Sequence, residues 1–326
     1  MAASELTRRG ADGGTLNRWA SGAWEGWRRF WFTPQDPLVV SLMRWPLVGM
    51  ILYTHLIWTL DFDAFFAATD SWQSRDLVQR LQADQFAYSF WWLIPAGWMF
   101  TTHLICLLIL AMYWVGLATP VCRWLALLIV ISYAHRVPLA MYGLDQVNGI
   151  AAFYLALSPC GARLSVDAYL RRKFGWAEPV KSVAARLTTR LIQVHLAYVY
   201  LWGGLGKLQG ESWWSGEAVW LTAANLDYQS NSLTWLIHVP WLYQALTIAT
   251  WAWEISFVVL VWSPQLRPWV LAVGVSMHLG IGIFLGMWTF GLAMIFLYLS
   301  FLTPEAVRTA AAWFRSIADV EDVPQP

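Results

Sequence analysis

The amino-acid sequence predicts an all-α polytopic membrane protein, a bundle of about eight transmembrane helices. Two observations carry that class and a third orients it. Of 326 residues, 58% are hydrophobic and only 13% are charged, too apolar a balance for an ordinary water-soluble domain of this length. The apolar residues gather into runs, most of them near the roughly 17–25 residues that cross a hydrocarbon core of about 30 Å. Basic residues then concentrate in some connecting loops and acidic residues in others.

The N-terminal stretch LNRWASGAWEGWRRFWF repeats tryptophan at helical spacing, with Trp24, Trp27 and Trp31 beside Arg28 and Arg29. It predicts either an interfacial helix on the cytoplasmic leaflet or an aromatic anchor for the first span. Its apolar cluster is interrupted by those arginines and no small-residue cleavage site follows, so no signal peptide is expected and the first span targets the chain. Apolar runs follow at 38–60, with Arg44 embedded, and at 89–116, 121–135, 147–159, 187–206, 241–262, 268–285 and 287–302. The fourth and the last are short, which predicts tilt, a kink or a partly re-entrant path. The chain thus divides into a cytoplasmic segment with an interfacial helix (1–33), a transmembrane domain (34–304) and a short, mildly acidic cytoplasmic tail (305–326).

Loop 160–186 carries Arg163, Arg171, Arg172, Lys173, Lys181 and Arg186 against Asp167 and Glu178, and is cytoplasmic by the positive-inside rule. Loop 61–88, with Asp61, Asp63, Asp70, Asp76 and Asp84, then faces outward, as does 207–240. An even number of crossings puts both termini in the cytoplasm, in a bacterial-type inner or plasma membrane. The lipid bilayer is therefore one partner. Nucleic acid is not, because a net charge of +1 comes with no separate basic stripe. Cys106, Cys122 and Cys160 form no C-x-x-C and lie in or beside apolar runs, against a disulfide framework. No two histidines stand at i, i+3 or i+4 and no H-E-x-x-H occurs, so no local metal motif is expected. With no internal repeat and no matched pair of interrupted helices, a transporter has little support.

Ionisable residues inside the spans are costly and face a cavity or a partner. Arg44 in the first span and Glu254 in the sixth fall in the same half of the bilayer and are expected to form a structural ion pair. His195 and His278 are also intramembrane, as interhelical hydrogen-bonding groups or as ligand contacts. Lys207 ends the fifth span in YLWGGLGKLQGESWW. At about 100° per residue, Tyr200, Gly203 and Gly204 share its face, and glycines there admit a neighbouring backbone or a flat ligand. Two readings stay open from the spacing. A lysine at a helix end snorkels to water, or an amine that loses hydration sheds its proton and serves as a base.

The run RLIQVHLAYVYLWGGLGKLQGESWWSGEAV (190–219) resembles the signature segment of the HTTM family, the membrane-domain family that includes vitamin K-dependent gamma-carboxylase. WAWEISFVVLVWSP resembles that family's acidic helix, SMHLGIGIFLGMWTFGLAMIFLYLSFLTP its histidine-bearing helix and hairpin, and FTPQDPLVVSLMRWPLVGMIL its first helix with an embedded arginine. The resemblance covers most of 32–304 in the same order. It implies that Lys207 is the base that deprotonates a reduced quinone such as vitamin K at the outer face of the membrane, with a quinone or other isoprenoid as ligand. Two departures count against glutamate carboxylation itself. No long extracytoplasmic domain follows the last span, and LALSPCGARLSVD lacks the histidine that the carboxylases carry there. The resemblance also implies an alternative, a non-catalytic membrane partner or maturation factor for an exported peptide or protein.

Overall fold

The structure, a computed structural model, describes residues 2–67, 71–227 and 230–321, so Asp70 of the acidic loop and tail residues 322–326 lie outside the described residues. It is all-helical, and among the described residues the extended backbone pairs only in an isolated bridge between Gln35 and Ser182. The elements run α1 (Ala2–Phe32), α2 (Leu38–Ile57), short α3 (Phe62–Phe66) and α4 (Arg75–Leu81), α5 (Met99–Val115), α6 (Thr119–Arg136), α7 (Gly143–Leu157) and α8 (Val166–Lys173). Then follow α9 (Val183–Lys207), short α10 (Glu211–Trp214) and α11 (Ala218–Ala223), α12 (Pro240–Leu260), α13 (Arg267–Leu285), α14 (Trp288–Leu297) and α15 (Pro304–Glu321).

Local chemistry sets the ends. Ser74, Ser165 and Ser182 cap α4, α8 and α9 by accepting hydrogen bonds from backbone N–H groups of the first turn. Prolines open α12 and α13, where a missing N–H costs nothing. Gly116 ends α5 in the left-handed region, at φ +79°, and a Cβ there would also meet Ser165 Cβ at 2.4 Å.

Each of the eight apolar runs is helical at its centre. By length and composition, three helices among the described residues are able to cross a membrane: Leu38–Ile57, Ala96–Val115 and Arg267–Leu285. The pair Trp288–Phe301 and Pro304–Trp313 makes a fourth if it is one span, bent by 108°. The expected count of eight is therefore reached in helices, not in helices of full spanning character. The reasons are local. α7 has 15 residues, about 22 Å of helix. α9 carries Arg186, Arg190 and Lys207, and Trp241, Tyr243, Trp251 and Trp253 lower the hydropathy of α12. The last run breaks before Pro304, and the chain continues beyond it as α15.

α2 is the central helix, touching α5, α7, α9 and α14, and it buries Val39, Met43, Leu47, Val48 and Ile51. α9 packs along α12, and α13 along α14, but α12 and α13 touch each other only lightly. Glycine permits the second of these tight pairings: a Cβ at Gly291 would stand 2.5 Å from the His278 backbone oxygen.

Arg44 and Glu254 do not pair. Arg44 is fully buried and donates to the carbonyl oxygens of Tyr113, Trp114, Cys160 and Leu164. The expectation failed because the end of α5 and the turn after α7 leave carbonyls without helical partners at the depth of Arg44, and a guanidinium supplies donors in a fan. Arg136 does the same elsewhere, donating to the carbonyls of Phe66, Ala67 and Gln73. Arg44→Gln should therefore lower stability on the order of 3 kcal/mol by orphaning buried carbonyls. Because Arg44 and Glu254 share no partner, its effect should add to that of Glu254→Gln within about 0.5 kcal/mol. Denaturation of the two single variants and the double variant measures this, and a double variant that recovers stability would restore the abandoned pair.

Candidate functional site

The light contact between α12 and α13 leaves a cavity of about 760 Å³ between the α9–α12 pair and the α13–α14 pair. α10, α11 and the 3-10 turn Thr234–His238 contribute Trp213, Thr222 and Trp235 to its wall. Its size is that of a small-molecule pocket, and its lining is predominantly apolar and aromatic.

Tyr200, Gly203 and Lys207 line it from α9, one above another as their spacing requires. Lys207 is the C-terminal residue of α9, and its amine turns to α12 instead of outward. Nζ donates to Glu254 Oε1 at 2.9 Å, while Oε2, at 2.7 Å, is in ion-pair contact without a hydrogen bond of its own. The side chains keep 24% and 10% of their exposure, so the pair is largely withdrawn from solvent. Trp213 covers the ammonium, with Nζ 5.2 Å from its ring centre. A snorkelling lysine would leave its charge in water. This one spends it on a carboxylate inside an apolar chamber.

A second polar group lies beside it. The Tyr200 hydroxyl meets His278 Nε2 at 2.7 Å and the Tyr298 hydroxyl at 2.5 Å, tying α9 to α13 and to the end of α14. His278 Nδ1 is buried and has no hydrogen-bond partner, in a residue that lines the cavity. Trp253 stands edge-on to Tyr200 at 4.8 Å, and Phe290 edge-on to His278 at 5.9 Å. Flat rings thus frame the chamber, with two polar centres, Lys207–Glu254 and Tyr200–His278, set into them.

The structure gathers Lys207, Tyr200, Gly203, His278 and Glu254 at this one cavity. Gly204 serves packing instead: a Cβ there would meet Ile255 Cγ1 at 2.7 Å and the Ile255 backbone N at 3.2 Å. His195 lies elsewhere, its Nδ1 2.8 Å from the Tyr154 hydroxyl on α7. Arg44 caps carbonyls away from the cavity. Sequence reasoning missed Trp253, Phe290 and Tyr298, and missed Glu254 as the partner of Lys207. No local spacing links Tyr298 to Tyr200, 98 positions apart. Among the described residues no group of three His, Cys, Asp or Glu side chains converges as a metal site. Comparison with models of known families, with curated proteins and with solved structures finds no match to this chain.

The two glycines should separate by experiment. At Gly203 a Cβ meets Glu254 Oε2 at 3.6 Å, an ordinary contact, so Gly203→Ala should hold stability within about 1 kcal/mol. Gly204→Ala drives a methyl against α12 and should cost about 1–3 kcal/mol. Thermal melts of both variants check this, and equal behaviour would contradict the close approach of α9 and α12 at Gly204.

Proposed function

We propose that the chain is an integral membrane protein whose cavity binds a quinol or related isoprenoid, with the Lys207–Glu254 pair taking a proton from the ligand's hydroxyl. The observation that carries this is the placing of a part-buried lysine–carboxylate pair, with side chains 24% and 10% exposed, on the wall of a 760 Å³ aromatic chamber. The chamber's shape suits the ligand class. Flat rings at Tyr200, Trp253 and Phe290 offer faces and edges to a conjugated ring, and apolar α12 and α13 residues offer a path for an isoprenoid chain. His278 Nδ1 offers a buried polar contact to the ring's second oxygen.

The residues divide the chemistry as follows. Glu254 Oε2, in ion-pair contact with Nζ at 2.7 Å but without a hydrogen bond of its own, is the acceptor, and Lys207 Nζ donates to Oε1. As a unit the pair accepts one proton from a hydroxyl. The carboxyl becomes neutral and the ammonium stays opposite the negative charge left on the ligand, where a low dielectric strengthens the attraction. Lys207 thus acts in the base through Glu254. The resemblance of 190–219 to the HTTM segment supports the same ligand class, and the basic loop 160–186 supports an outward-facing site. The eight apolar helices together form the membrane-embedded bundle in this reading.

Reduced menadione is a suitable probe for the purified chain in detergent. Trp213 and Trp253 line the cavity, so binding should quench tryptophan fluorescence, and proton loss should appear as the absorbance of the bound anion. Lys207→Arg retains the charge and can pair with Glu254, so it should fold and bind. Its guanidinium fork donates a hydrogen bond to each carboxylate oxygen and leaves Glu254 no open acceptor, so the anion signal should be lost. Gly203→Leu fills the chamber and should weaken binding about tenfold, near 1.4 kcal/mol. Lys173→Ala, remote from the cavity, should match the wild type. An undiminished anion signal in Lys207→Arg would overturn the proton role, and unchanged binding in Gly203→Leu would overturn the site.

A further inference from the structure

A second pocket, of about 290 Å³, lies at the opposite, basic end of α9, where the linker 33–37, the start of α9, the α12–α13 turn and residues 300–308 converge. Its wall carries Arg186, Arg190 and Arg267, and among the described residues none of the three forms an ion pair with a carboxylate. The two acids on the same wall are engaged by other arginines, Asp36 by Arg308 at 2.6 Å and Arg163 at 3.7 Å, and Glu305 by Arg308 at 3.9 Å. Three cations without counter-charges at the edge of an apolar bundle call for an anion.

The donors are also set for one. Arg190 is held between aromatic rings, 4.3 Å from the centre of Phe30 and 5.9 Å from that of Trp262, and its Nη1 donates to Gln193 Oε1 at 2.7 Å. Its Nε is buried without a partner. Gln193 in turn donates to the Ser300 carbonyl at 2.6 Å, which fixes Ser300 beside the arginine. Ser300 is fully buried, lines the pocket, and its hydroxyl has no hydrogen-bond partner. Arg267 uses Nε and Nη2 on the carbonyls of Val261 and Trp262 and leaves Nη1 open. A hydroxyl and two guanidinium edges facing one small space match the several acceptor oxygens of a phosphate group, which forked donors recognise best.

We propose that this pocket binds a phosphate-type anion, either the headgroup of an acidic phospholipid or free phosphate. Both sources offer the same oxygens to Arg190, Arg267 and Ser300. α1 forms part of the surroundings, with Arg186 donating to its Phe30 carbonyl and Trp24 and Trp27 exposed along it. An aromatic, basic helix of this kind lies at a lipid surface, and a headgroup bound here would fasten α1 to the start of α9.

The test uses the full chain in dodecyl maltoside, a detergent without phosphate. One arm adds inorganic phosphate, with chloride at equal ionic strength as reference. The other adds phosphatidylglycerol, with phosphatidylcholine as reference. The melting temperature is followed as each is titrated. The wild type should be stabilised in at least one arm over its reference, and the arm that responds identifies the source. Loss of one charge-assisted hydrogen bond should raise the half-saturating concentration about tenfold in Arg267→Gln. Ser300→Ala, a small change, should shift it in the same direction, while Arg172→Gln on α8 should leave it unchanged. These variants keep the test decisive even if Arg190→Gln does not fold. No stabilisation in either arm, or equal titrations for Arg267→Gln, Ser300→Ala and wild type, would overturn the site.

Discussion

A charge sits inside an apolar bundle only where the protein supplies hydrogen bonds or a counter-charge in place of water, and this constraint organises the structure. Arg44 and Arg136 meet it by spending their guanidinium groups on carbonyls left open at helix ends. Lys207 meets it differently, with a carboxylate on the neighbouring helix. The first solution is inert: the charge is used up in closing the fold. The second leaves a carboxylate oxygen without a hydrogen bond at the wall of a cavity, which is where chemistry becomes available.

The cavity itself follows from unequal packing. Gly204 lets α9 approach the backbone of α12, and Gly291 lets α14 approach that of α13, so two helix pairs are drawn tight. The space between α12 and α13 is then filled by no backbone, and large rings at Trp253, Phe290 and Trp213 frame it without closing it. The Tyr200–His278 and Tyr200–Tyr298 hydrogen bonds tie the two pairs together across one side. The chamber is thus held open by the same contacts that stabilise its walls.

Much of this was legible in the sequence. Apolar runs read directly as helices because a buried segment must satisfy its own backbone, and Tyr200, Gly203 and Lys207 align because helical spacing brings them to one stripe. Gly204 shares the stripe but proves to be a packing residue, a distinction that depends on how close α12 comes. The Arg44–Glu254 pairing was misjudged because depth was counted from loop ends. α9 ends at Lys207 and the chain passes through α10 and α11 before α12 begins, so Glu254 lies level with Gly203 and not with Arg44. Long-range partners such as Tyr298, and the carbonyls that Arg44 caps, leave no local trace because they depend on which helices become neighbours.

The central claim is that the chamber beside Lys207 and Glu254 holds a flat, quinone-like ligand. Photolabelling with an azido-naphthoquinone, followed by peptide mapping, tests it most directly. The account predicts that the label falls on cavity residues such as Trp213, Trp253 and Phe290 and is displaced by excess unlabelled naphthoquinone. Label spread over the exposed side chains of α5 and α6, or undiminished by the competitor, would contradict it.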